Sequence, residues 1–70
     1  MNDGAHIAIP TVENLIGTWR RFGPVGPVYE VIGAGDAQRD GGRLMRIRVL
    51  ETREEIEYRL VHILGDPEEH

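Results

Sequence analysis

The sequence predicts a mainly β domain: a small, SH3-like, partly open barrel of about four antiparallel strands, with a short N-terminal helical turn and a C-terminal helical or 3-10 turn. Three observations carry this expectation. Residues 43–60 read RLMRIRVLETREEIEYRL, in which Met45, Ile47 and Val49 alternate with Arg46 and Arg48, and Ile56, Tyr58 and Leu60 alternate with Glu55, Glu57 and Arg59. Period two on both arms marks a hairpin with one buried face. Residues 18–22 and 28–32 are rich in β-branched and aromatic side chains, and the GPVGP between them stops a strand, since its prolines lack donors and its glycines permit turns. Seventy residues, finally, leave room for one small core and no deep cavity.

Taken in order, residues 1–9 carry no hydrophobic period and are expected to form a flexible tail, with a single domain over residues 10–67 and a solvated end at 68–70. Thr11 can cap a turn of helix across Val12, Glu13, Asn14 and Leu15, and Gly17 ends it. In the second strand Tyr29 and Val31 share one face, while Val28, Glu30 and Ile32 share the other. Residues 33–42, GAGDAQRDGG, have no apolar side chain larger than alanine and read as a long exposed loop. In the hairpin, a tip at Thr52 and Arg53 would set Val49 against Ile56, Ile47 against Tyr58, Met45 against Leu60 and Arg48 against Glu57. Val61, His62, Ile63 and Leu64 then form one helical turn, closed by Gly65 and Pro67. The rival architecture is an α+β sheet of three or four strands with one helix; the brevity of the first helical segment counts against it.

Composition removes several kinds of chemistry. There is no cysteine, hence no disulfide, thiolate metal site or thiol nucleophile, and serine is absent as well. The three histidines, His6, His62 and His70, have no metal-ligand spacing. Asp36 and Asp40 precede Gly41 as in a calcium loop, but Ile47 stands where the bidentate carboxylate belongs. Gly33, Ala34, Gly35 and Asp36 begin like a phosphate loop, yet Gln38 replaces the third glycine and no lysine exists. No enzyme, cofactor or metal is therefore expected. Net charge is −4, and this acidic balance disfavours a general nucleic-acid binder. That all eight basic residues are arginine is explained better by codon bias in a GC-rich genome than by selection for planar contacts to phosphate or carboxylate. No apolar run is long enough for a signal peptide or membrane span, so the expected compartment is the cytoplasm.

The remaining candidates lie in the first hairpin. Trp19 is either the plug of a very small core, which a chain with four aromatics favours, or the anchor of a partner. The partner reading takes Trp19, Arg21, Phe22, Pro24 and Tyr29 as a protein-binding patch beside a stiff proline loop. An alternative is an RNA- or DNA-binding accessory protein using Arg20, Arg21, Arg46 and Arg48 beside Trp19. An open barrel also leaves a strand edge through which the chain could pair with itself.

The segments GTWRRFGPVGPVYEVI, RIRVLETREEIEYRL and ILGDP, spanning residues 12–67, resemble a family of very short bacterial proteins of unknown function. The resemblance implies a bacterial cytoplasmic protein and supplies no site residues. The reading is a non-enzymatic protein-interaction module, whose partner is another protein or a second copy.

Overall fold

The computed structural model describes residues 12–69. The fold is mainly β: five antiparallel strands in one open sheet and two short helices. In chain order they are α1 (Val12–Leu15), β1 (Trp19–Arg21), β2 (Val28–Ala37), β3 (Arg43–Val49), β4 (Glu55–Arg59), α2 (Leu60–Gly65) and β5 (Glu68–Glu69). The sheet runs β4-β3-β2-β1-β5, and its end strands are not joined, so among the described residues nothing closes it into a barrel. The expected tail over residues 1–9 and the Thr11 cap lie outside the described residues.

Both helices pack on the same face. Leu15 of α1 and Ile63 of α2 join Tyr29, Val31, Met45 and Ile47 in one buried cluster, with Val12, Phe22, Tyr58 and Leu60 packed around it. The alternation of β2 and β3 thus selects the buried face as expected: Tyr29 and Val31 turn in, as do Met45, Ile47 and Val49. No described element covers the opposite face.

The structure corrects the expectation at four points. In the β3–β4 hairpin, Ile47 lies opposite Ile56, Met45 opposite Tyr58 and Arg48 opposite Glu55. The pairing is thus offset by two residues from the expected one. A tight two-residue tip needs positive φ at glycine or asparagine, which Thr52 and Arg53 are not. The chain instead makes a longer loop in which only Arg53 is left-handed, at φ 65°, and its N–H bonds the Val49 carbonyl at 2.7 Å. An even offset leaves each side chain on its own face, which is why the burial pattern survives it.

Leu60, expected in the strand, opens α2, and Ile56 at the sheet margin is 43% exposed. The glycine-rich stretch after Ile32 is not a loop: β2 continues to Ala37 against β3, with register shifts between Val31 and Gly33 and between Ala34 and Ala37. Such bulges absorb extra residues at the cost of local twist. Gly35 lets the strands approach, because a Cβ there would stand 2.9 Å from the Leu44 carbonyl oxygen. Finally, Glu68 and Glu69, read as a solvated end, pair with Arg20 and Trp19 as β5.

Candidate functional site

β1 is the pivot of the molecule, since its alternation sends neighbouring side chains to opposite faces. Its place is fixed at both ends. The Gly17 N–H bonds the Val31 carbonyl at 2.7 Å and the Val31 N–H bonds the Thr18 carbonyl at 2.9 Å, while the Arg21 N–H bonds the Pro67 carbonyl at 3.0 Å.

On the uncovered face, Trp19 is 47% exposed. The expectation that it plugs the core is therefore corrected; Tyr29, Phe22 and Tyr58 fill that space. Trp19 lies directly opposite Glu30 on β2 and Glu69 on β5, Glu30 lies opposite Arg48, and Arg48 opposite Glu55. The row Glu55, Arg48, Glu30, Trp19, Glu69 thus crosses all five strands. Its outer members are already paired: Arg48 to Glu55 at 3.0 Å, with Arg46 4.0 Å from the same carboxylate, and Arg21 to Glu69 at 3.2 Å. Glu30 is only partly exposed and makes no ion pair among the described residues. The indole therefore sits between two carboxylates, of which Glu30 forms no ion pair among the described residues.

On the core face, Asp66 gathers the first hairpin and the C-terminal segment. One carboxylate oxygen accepts the Tyr29 hydroxyl at 2.7 Å and the Tyr58 hydroxyl at 3.0 Å, and the other accepts the Gly23 N–H at 3.2 Å. The phenols pack against Phe22, tilted in Tyr29 and edge-to-face in Tyr58, with ring centroids at 4.5 Å and 5.2 Å. Burial, followed by the hydrogen bond to Asp66 and the charge of its carboxylate, pushes both tyrosines above their ordinary pKa. A phenol so held keeps its proton, which makes it a structural donor and a poor nucleophile or base.

Beside this cluster, Arg20 donates from Nη1 to the Ile63 and Asp66 carbonyls at 3.1 and 3.2 Å, stabilising the C-terminal end of α2, while its Nε is buried without a partner.

The residues singled out in the sequence are thereby divided. Trp19 and Arg21 share the uncovered face, and Pro24 is exposed in the β1–β2 loop. Phe22 packs into the aromatic cluster and Tyr29 is fully buried, so neither lies on a surface with Trp19. Arg46 and Arg48 are on the uncovered face, but Arg20 is spent inside. Asp66 and Glu30 escaped the sequence reading. The GDP motif marked a helix end, and nothing in its spacing announces a tyrosine 37 residues away.

A separate groove of about 330 Å³ lies between the β2–β3 turn and α2, with Val61 and Leu64 on one wall and Arg43 and Arg59 among its other lining residues. At its rim Arg59 holds Asp40 at 2.9 Å; the Gly42 N–H first, and then Arg59, keep the Asp40 carboxyl below the usual carboxylate range. Among the described residues no group of histidine and acidic side chains could hold a metal ion, and no helix is long and apolar enough to cross a membrane.

Fold and surface together define a small open-sheet protein with one face packed under helices and the other bare around a tryptophan. The chain belongs to DUF5397, a family of unknown function whose pattern matches residues 5–70. No curated protein matches it.

Proposed function

We infer that this chain is a cytoplasmic, non-enzymatic protein-interaction module whose contact surface is the uncovered sheet face centred on Trp19. The observation that supports this reading most is the exposure of the sole tryptophan, on β1 next to the edge strand β5, on a sheet face that no described element covers. Large aromatics anchor interfaces because they bury much apolar area at small entropic cost. Glu30 and Glu69 on either side of the indole favour a partner that brings a cation over the ring, an arginine or lysine side chain, where cation–π attraction contributes about 0.5–2 kcal/mol. The same carboxylates oppose a phosphate backbone. The nucleic-acid reading has also lost Arg20 to the core, and Glu55 neutralises Arg48. A chain without cysteine suits a reducing compartment.

The test compares wild type with Trp19→Ala and Glu30→Gln in binding to proteins recovered from native cytoplasm, each then titrated in pure form. Both substitutions are expected to weaken the same complex at least tenfold, with circular dichroism unchanged. Partners retained equally by all three proteins overturn the reading. Binding to mixed oligonucleotides that falls steeply between low and moderate salt would replace it with the nucleic-acid one.

A further inference from the structure

We propose that the free edge of β4 is a self-pairing surface, through which two copies of this chain join antiparallel about a two-fold axis at Glu57. The two ends of the sheet are not alike. β5 offers two residues, whereas β4 offers five and nothing among the described residues pairs with its outer side. A long unpaired strand is a template for another strand.

The direction of its hydrogen bonds is fixed by the hairpin. The Val49 N–H bonds the Glu54 carbonyl at 2.8 Å, so residues 54, 56 and 58 address β3, and Glu55, Glu57 and Arg59 turn their N–H groups outward. The Arg59 carbonyl is engaged at the start of α2, where Arg59 is the N-cap. Placing Glu57 opposite its own copy brings each Arg59 N–H to the partner's Glu55 carbonyl and each Glu57 N–H to the partner's Glu57 carbonyl, about four backbone hydrogen bonds.

The side chains select this register. On the uncovered face Glu55 of each copy meets Arg59 of the other, twice over. On the helix face Ile56 of each copy meets Tyr58 of the other, an aliphatic–aromatic pair of the kind that stabilises antiparallel strands. That contact would cover Ile56, now 43% exposed in the sheet margin. A slip by two residues toward the hairpin tip sets Glu55 against Glu57, and a slip the other way removes Ile56 from the pair. Two things oppose the assembly: Glu57 faces Glu57 across the axis, and Glu55 and Arg59 must share their charge with Arg48 and Asp40, which they already hold within their own chain. This interface does not involve Trp19 or Glu30 and shares only Glu55 with their row, so it stands independently of the function proposed above.

Sedimentation equilibrium across a wide concentration range tests it on wild type, Glu55→Arg, Arg59→Glu, the double exchange, Glu57→Gln and Trp19→Ala, each checked for fold by circular dichroism. Wild type is expected to dimerise, and either single reversal to weaken the dimer about tenfold by turning two attractive pairs repulsive. The double exchange should restore it to within a few fold. Because that variant keeps neither the Arg48 pairing with Glu55 nor the Arg59 pairing with Asp40, restoration cannot come from within one chain. Glu57→Gln should tighten the dimer about two- to fivefold. A wild type that stays monomeric up to about millimolar concentration overturns the proposal. So does a dimer indifferent to all four β4 variants, and one broken only by Trp19→Ala would place self-association on the other face.

Discussion

Replacing Asp66 by alanine should be the most damaging change of a single partly buried polar residue in this protein, and its cost can be worked from the geometry. The carboxylate accepts two phenols and one backbone N–H, and the phenol of Tyr29 is sealed from water. A hydrogen bond to a charged acceptor contributes about 1.5–3 kcal/mol net, and a buried donor left unpaired costs about 1–3 kcal/mol. Tyr58 and Gly23 are partly exposed, so water replaces much of what they lose. The sum is about 3–5 kcal/mol, against a total stability of roughly 3.5–10 kcal/mol for a chain this size. Urea unfolding followed by Trp19 fluorescence and far-ultraviolet circular dichroism measures it. With a slope near 1 kcal/mol per molar, the midpoint should fall by about 3 M or more, or the variant should be unfolded without denaturant. Asp66→Asn, which keeps one oxygen acceptor, should cost about half as much. A double-mutant cycle with Tyr29→Phe should then show coupling of at least about 1 kcal/mol. An Asp66→Ala variant within about 1 kcal/mol of wild type, or strict additivity in the cycle, would refute the idea that this carboxylate pins the first hairpin to the C-terminal segment.

The phenols, Arg20 and two glycines give further expected outcomes. Both tyrosines have native pKa values raised above the ordinary value near 10, so the unfolded chain loses their protons first. The tyrosines' contribution to stability should be level below about pH 10 and fall as the pH climbs from there toward the raised values, by up to about 1.4 kcal/mol per pH unit for fully buried Tyr29; tyrosinate absorbance appearing near pH 10 while circular dichroism stays native would contradict this. Arg20→Met leaves the Ile63 and Asp66 carbonyls without their cationic donor and should cost about 1–3 kcal/mol, with hydrogen exchange accelerated in α2 and β5 ahead of β3. Gly35→Ala drives a methyl into the Leu44 carbonyl and should cost about 1–3 kcal/mol in thermal unfolding, and Gly26→Ala, whose Cβ would stand 2.1 Å from the Phe22 carbonyl oxygen, should cost more.

Much of the fold was legible because it depends on local period. Met45, Ile47, Val49, Tyr29 and Val31 alternate with polar or surface residues, and alternation alone decides which side of a strand can be buried. The short α1 and the helical turn after β4 were likewise announced by glycine and proline stops. What sequence could not give was pairing. The GAGDA stretch has no apolar side chain larger than alanine with which to advertise a strand, and it is held as one by backbone bonds to β3 that only the assembled sheet provides. Two glutamates at the C-terminus carry no strand signal, yet β1 offers them an edge. The hairpin register turned on the φ of Arg53, a matter of turn geometry, not of hydrophobicity.

The candidate site divides in the same way. That Arg20 and Arg21 would part to opposite faces follows from period two, but which face the helices would cover does not. That choice was made by Leu15 and Ile63 packing against Tyr29 and Ile47, and it left Trp19 outside between Glu30 and Glu69. Sequence by itself determined the apolar sides of β2 and β3 and the absence of thiol and serine chemistry, because these rest on residue identity and spacing of two. Only the tertiary structure decided which arginine caps a helix, which tyrosine is sealed on Asp66 and which edge and face stay bare, because those depend on contacts between residues far apart in the chain.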